Sequence, residues 1–176
     1  MRDALGELEG RYFGHIPEKF RKRRCLAVVR EPRARFLSAF RMFKFGNKLA
    51  DDYYGEPRWP DLSISEALDV LEDPWVGFDR SYRSLPWNLK HHIIPQTHEF
   101  NCLHHVDTVL RFETLEQDFT QFCAEQGISA ELPRLRASRG SRENEGVWSA
   151  KDEERFNRLF AEDYRALNYA PHLTAD

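Results

Sequence analysis

Residues 25–30 read Cys-Leu-Ala-Val-Val-Arg, a short apolar run, and Pro32 follows two positions later. A run without polar alternation belongs to a strand buried on both faces, as in a parallel sheet. Proline suits the first position of a helix, and Phe36, Leu37, Phe40 and Phe43 recur behind it at helical spacing until Gly46-Asn47. A strand that feeds directly into a helix restricts the chain to an α/β fold with helices covering a parallel sheet. A second strand is predicted over Asp107–Phe112. Thr114-Leu-Glu-Gln117 then caps a helix with Leu115, Phe119, Phe122 and Cys123 on one face, stopped by Gly127. Ser63-Ile-Ser-Glu66 caps a short helix ending before Pro74. Ser149-Ala-Lys-Asp152 caps a last helix that turns Phe156, Leu159, Phe160 and Leu167 inward. Residues 47–62 and 133–148 are polar, turn-rich stretches that read as surface segments.

At 176 residues the chain fits one domain, residues 1–176. No apolar run approaches the ~18 residues of a membrane helix. The start MRDALGELEG lacks a secretory apolar core, so a cytoplasmic protein without a membrane segment is expected. Cys25, Cys102 and Cys123 share no C-x-x-C spacing, and neither a disulfide framework nor a metal site is predicted. The charge is uneven. The first fifty residues hold 13 Lys/Arg against 5 Asp/Glu, and the remainder 13 against 24. A basic end on an acidic chain suits an anionic ligand, and it equally suits a basic surface complementing the acidic remainder.

The chemistry begins at Val29-Arg30-Glu-Pro-Arg-Ala-Arg35-Phe-Leu-Ser38-Ala-Phe40. Arg30 stands at the carboxyl end of the first strand, the edge where open α/β sheets bind ligands. The helix that starts next offers free N–H groups and its positive dipole end to a phosphate. Arg35 adds a second guanidinium. Ser38, two turns along, adds a hydroxyl. The same residues would also suit a plain structural role, with Arg30 paired to a carboxylate and Ser38 facing a neighbouring helix.

This segment resembles the stretch of sulfotransferases using 3′-phosphoadenylyl sulfate (PAPS) that holds the donor's 3′-phosphate, V-R-x-P-x-x-R-x-x-S-A-aromatic. It is most similar to the carbohydrate branch, which includes the chondroitin and uronyl 2-O-sulfotransferases. His92-Ile-Ile-Pro95-Gln96 resembles that branch's H-x-x-P-Q. Arg111-Phe-Glu113-Thr-Leu115-Glu-Gln-Asp118 resembles its strand followed by F-E-x-L-x-x-D, and Phe160-Ala-Glu-Asp163-Tyr164 with Asn168-Tyr169 its closing helix. Together these span residues 25–169. The resemblance implies a P-loop NTPase-like sulfotransferase fold and transfer of a sulfuryl group from PAPS to a hydroxyl, carbohydrate being the expected acceptor class. It gives Arg30 and Ser38 the 3′-phosphate, with Arg35 as helper and Ser138 and Arg139 as later nucleotide contacts. His15, in Tyr12-Phe-Gly-His-Ile16, is similar to the second histidine of the H-G-H segment whose histidines are catalytic bases; Phe13 replaces the first. His92 is expected near the cleft, structural or facing the acceptor.

The pattern breaks at one place. Family members hold the 5′-phosphosulfate in an N-terminal strand–loop–helix with Lys followed by Ser or Thr, whereas Ser38 is the first Ser or Thr here. The fold is therefore expected to be N-terminally incomplete, with an exposed apolar sheet edge. It belongs either to part of a longer enzyme or to a relative that binds nucleotide without turnover. His91, His92, His98, His104 and His105 cluster in sequence without the spacing of a zinc site. Lys19-Phe-Arg-Lys-Arg-Arg24 is a basic hexamer that would suit RNA or an acidic partner, a reading opposed by the acidic remainder, so no nucleic-acid partner is expected.

Overall fold

The computed structural model describes residues 23–45, 59–76, 85–132 and 146–171. In chain order its elements are β1 (Leu26–Val29), α1 (Pro32–Phe45), α2 (Ile64–Glu72), α3 (Leu85–Ile93), β2 (Thr108–Arg111), α4 (Leu115–Gln126), α5 (Ala150–Leu159) and α6 (Ala161–Ala166). Short 3₁₀ turns at Glu99–Asn101, Leu103–His105 and Phe112–Thr114 connect them. The chain divides into two compact units, Met1–Glu31 with Gln96–Ser138, and Pro32–Pro95 with Arg139–Asp176. Among the described residues no helix is long and apolar enough to cross a membrane.

The first unit is built on β1 and β2, which pair in parallel with Leu26 opposite Thr108 and Val29 opposite Arg111. The parallel pairing agrees with the sequence reading; the expected burial on both faces does not hold, because Leu26, Val28 and Val109 stay exposed. Cys25 N–H donates to Asp107 Oδ2 at 2.7 Å and holds the start of the pair. Val29, Leu110 and Cys123 are buried, while Leu26, Val28, Val109 and Phe112 remain exposed, Val28 by 47%. A two-stranded sheet has an edge on each side and too little apolar cover to be stable by itself. The predicted Thr114 capping box does not form. The chain makes a 3₁₀ turn there, Thr114 Oγ1 donates to Asp118 Oδ2 at 2.9 Å, and the same oxygen accepts Arg111 N–H at 3.0 Å. Asp118 thus secures the end of β2 in place of Gln117. Gly127 closes α4 in the left-handed conformation, φ 64°.

The second unit holds the main core. Phe36 and Phe40 from α1, Leu62, Ile64, Leu68, Leu89 and Ile93 meet Phe156 and Phe160, all essentially sealed from solvent. Phe36 meets the edge of Phe156 at 5.3 Å between ring centroids, and Phe156 stacks on Phe160 at 4.2 Å. Both predicted capping boxes here form, Ser63 with Glu66 and Ser149 with Asp152. The last helix is broken at Phe160 into α5 and α6, an interruption the hydrophobic spacing does not show. Arg155 binds Asp69 and Glu72, each at 2.6 Å, and fastens α5 to α2. Gly146 sits at φ 78°, and a Cβ there would lie 2.9 Å from Ile64 Cγ1. Left-handed backbone and close approach both require glycine. Gly146→Ala is expected to lower unfolding free energy by about 1–3 kcal/mol, measurable by urea denaturation; an unchanged midpoint would contradict the packing.

Candidate functional site

Arg30 leaves the carboxyl end of β1 with its peptide fixed on both sides by one side chain. Its N–H donates to Gln96 Oε1 at 2.8 Å, and its carbonyl accepts from Gln96 Nε2 at 2.7 Å. Gln96 is buried. The next amide, Glu31 N–H, donates to Glu113 Oε1 at 2.8 Å. The backbone is therefore held rigidly at the point where the side chain departs. The Arg30 guanidinium lies over the Phe112 ring, 4.5 Å from its centroid. No carboxylate among the described residues pairs with it. Guanidinium geometry matches phosphate in two parallel hydrogen bonds.

In the second unit α1 carries Arg35 and Ser38, and α3 carries His92. Ser38 is exposed. Arg35 donates from Nη1 to Ile94 O at 2.6 Å. Burial pulls its pKa below the usual arginine value, and the charge of Asp163 acts against that pull; it remains a cation at neutral pH. His92 gives its Nδ1 to Asn88 O at 2.9 Å and sets its ring edge against Phe43 at 5.3 Å between centroids. Burial, then the nearby charge of Arg35, pushes the imidazole below the ordinary histidine range despite the hydrogen bond to Asn88 O. His91 repeats the arrangement with Trp87 O at 2.8 Å and is lowered chiefly by burial.

The two depressed histidines have a consequence for stability. Each is neutral in the folded protein, whereas in the unfolded chain each takes up a proton below about pH 6.5. Their contribution is complete above that pH and declines as pH falls from the unfolded pKa towards the lower folded one. Urea unfolding at decreasing pH should show this loss, and a His91→Gln/His92→Gln double variant should flatten it. An equal slope in both proteins would refute it.

His15, Ser138 and Arg139 lie outside the described residues. With the strand end, the Gln96 clamp and the guanidinium on Phe112 established, the comparison with known families is decisive: the model of a family described as "Sulfotransferase family" matches residues 11–170. The chain belongs to the sulfotransferase family. No curated protein and no solved structure was found to match it.

Within this sulfotransferase each described motif has a physical task. The glutamine of H-x-x-P-Q is the clamp on Arg30, the glutamate of F-E-x-L-x-x-D takes Glu31 N–H, and the aspartate of that motif takes Arg111 N–H. Gln96 and Phe112, which hold the Arg30 peptide and lie against its guanidinium, are residues that side-chain chemistry alone does not disclose. Gln96 has no charge to attract notice, and Phe112 reads as the apolar end of a strand. The one signal for both is their place inside these motifs, Gln96 ending H-x-x-P-Q and Phe112 opening F-E-x-L-x-x-D.

Proposed function

We propose that this protein transfers a sulfuryl group from PAPS to a hydroxyl, with carbohydrate as the acceptor class. The observation that carries the reading is the Arg30 guanidinium, stacked on Phe112 with no carboxylate partner among the described residues, on a peptide clamped by Gln96. That cation fits a phosphate, and the resemblance of 29–40 to the 3′-phosphate segment names the donor's 3′-phosphate. The same resemblance assigns nucleotide contacts to Ser38, whose side chain is exposed, and to Ser138 and Arg139. Arg35, whose Nη1 is committed to Ile94 O, supports the phosphate through its charge. The acceptor's proton requires a base, a role the resemblance gives to His15. Transfer of this kind needs no metal.

The test is calorimetric titration of the full chain with adenosine 3′,5′-bisphosphate against ADP, followed by assay with PAPS and carbohydrate acceptors. Binding that requires the 3′-phosphate, with turnover, is the expected result. Binding without turnover would make the chain a non-catalytic relative. A folded chain that ignores the bisphosphate would overturn the reading.

A further inference from the structure

We infer that the Nε2 atom of His92 receives the proton of the acceptor hydroxyl, the role the sequence resemblance assigns to His15; this rests on the sulfuryl-transfer reading above. The geometry comes first. Asn88 O is a carbonyl and can only accept, so the 2.9 Å contact places the ring proton on Nδ1 and leaves the lone pair on Nε2. The edge contact with Phe43 fixes the plane of the ring. Nε2 has no protein partner among the described residues. Burial, and after it the charge of Arg35 on α1, favours the neutral form of the ring, so the lone pair is present at neutral pH. Ser38, proposed to hold the nucleotide, lies one turn beyond Arg35 on the same helix.

The other described histidines are differently employed. His91 Nε2 is shielded from solvent, with its ring packed on Trp87 at 3.8 Å between centroids. His98 Nδ1 accepts Phe100 N–H at 3.3 Å, and the His104 and His105 rings lie tilted against each other, 4.0 Å between centroids, both side chains exposed. His92 alone among these five pairs a fixed tautomer with an available lone pair.

In the step proposed, the acceptor oxygen forms the new O–S bond as its proton passes to His92 Nε2. The bond between sulfur and the 5′-phosphate oxygen breaks, and that oxygen keeps the electron pair in departing adenosine 3′,5′-bisphosphate. The imidazolium then returns its proton to solvent. General-base assistance of this kind contributes about 10²–10⁴ in rate.

The experiment compares wild type, His92→Gln, His92→Ala, His15→Ala and the exposed control His105→Gln, with PAPS and desulfated chondroitin. His92→Gln should lose about 10²–10⁴ in kcat with bisphosphate affinity unchanged. The acid limb of its kcat/KM profile should vanish, and imidazole should restore part of the His92→Ala rate. Retained kcat, a loss confined to nucleotide affinity, or disappearance of the acid limb only in His15→Ala would overturn the inference. A second readout needs no turnover: carbethoxylation by diethyl pyrocarbonate, mapped by mass spectrometry. If the chain binds bisphosphate without turning over, faster modification of His92 than of His91 supports the inference, and an unreactive His92 overturns it. A folded chain that binds no bisphosphate would remove both this assignment and the reading beneath it, whereas failure at His92 alone leaves that reading intact.

Discussion

Arg30→Ala is expected to weaken binding of adenosine 3′,5′-bisphosphate about ten- to hundredfold. A charge-assisted hydrogen bond contributes about 1.5–3 kcal/mol, and each 1.4 kcal/mol is tenfold in affinity. The loss should be confined to ligands carrying the 3′-phosphate, so ADP should bind both proteins alike. The folded state should hardly notice, because the guanidinium stacks on Phe112 and pairs with no described carboxylate; such a stack contributes about 0.5–1 kcal/mol at an exposed site. Arg30→Lys should fall between, since an ammonium keeps the charge and loses the planar fork. Calorimetry with both nucleotides decides the matter. Equal weakening of both, or none, would mean that Arg30 does not read the 3′-phosphate.

Asp163→Ala should be the most damaging single change to stability. The carboxylate is fully buried, and its charge acts on the Arg35 guanidinium, which is itself drawn out of water and bound to Ile94 O. Removing it breaks the contacts of a buried carboxylate and leaves the Arg35 guanidinium without that opposing charge, at a cost of about 3–5 kcal/mol. For a chain of this length that corresponds to a fall in Tm of roughly 6–20 °C. Adding Arg35→Met to Asp163→Ala should recover part of the loss, because the stranded cation is gone. Thermal unfolding of the two single variants and the double variant supplies the measurement. Additive losses would show that Arg35 and Asp163 do not depend on each other.

What could be read from residues alone follows from range. Strand β1, helix α1 and the capping boxes at Ser63 and Ser149 are specified by neighbours a few positions apart, and they form where expected. Helix α3 was not legible. Its nine residues include buried Asn88 and Lys90, which spoil the apolar stripe. Lys90 is tolerated there because its Nζ reaches Asp73 O at 2.6 Å, seventeen residues away in sequence. The break at Phe160 was hidden because Phe156 and Phe160 are both buried and keep helical spacing across it. The place of Arg30 at a strand end was legible, whereas the Gln96 clamp was not: Gln96 stands out only as the last residue of H-x-x-P-Q, and a contact across 66 residues leaves no local pattern.

That clamp constrains the order in which the protein can mature during synthesis. The groups that fix Arg30 and its neighbouring peptide come from Gln96 and Glu113, 66 and 82 residues further along the chain. As the polypeptide leaves the ribosome, Arg30 emerges long before anything that can hold it. The nascent chain must therefore carry this strand end unformed until Gln96 and Glu113 have been made. That end then locks only after the second strand and its following turn have been made, and a message truncated before Glu113 yields helices without a fixed end to the first strand.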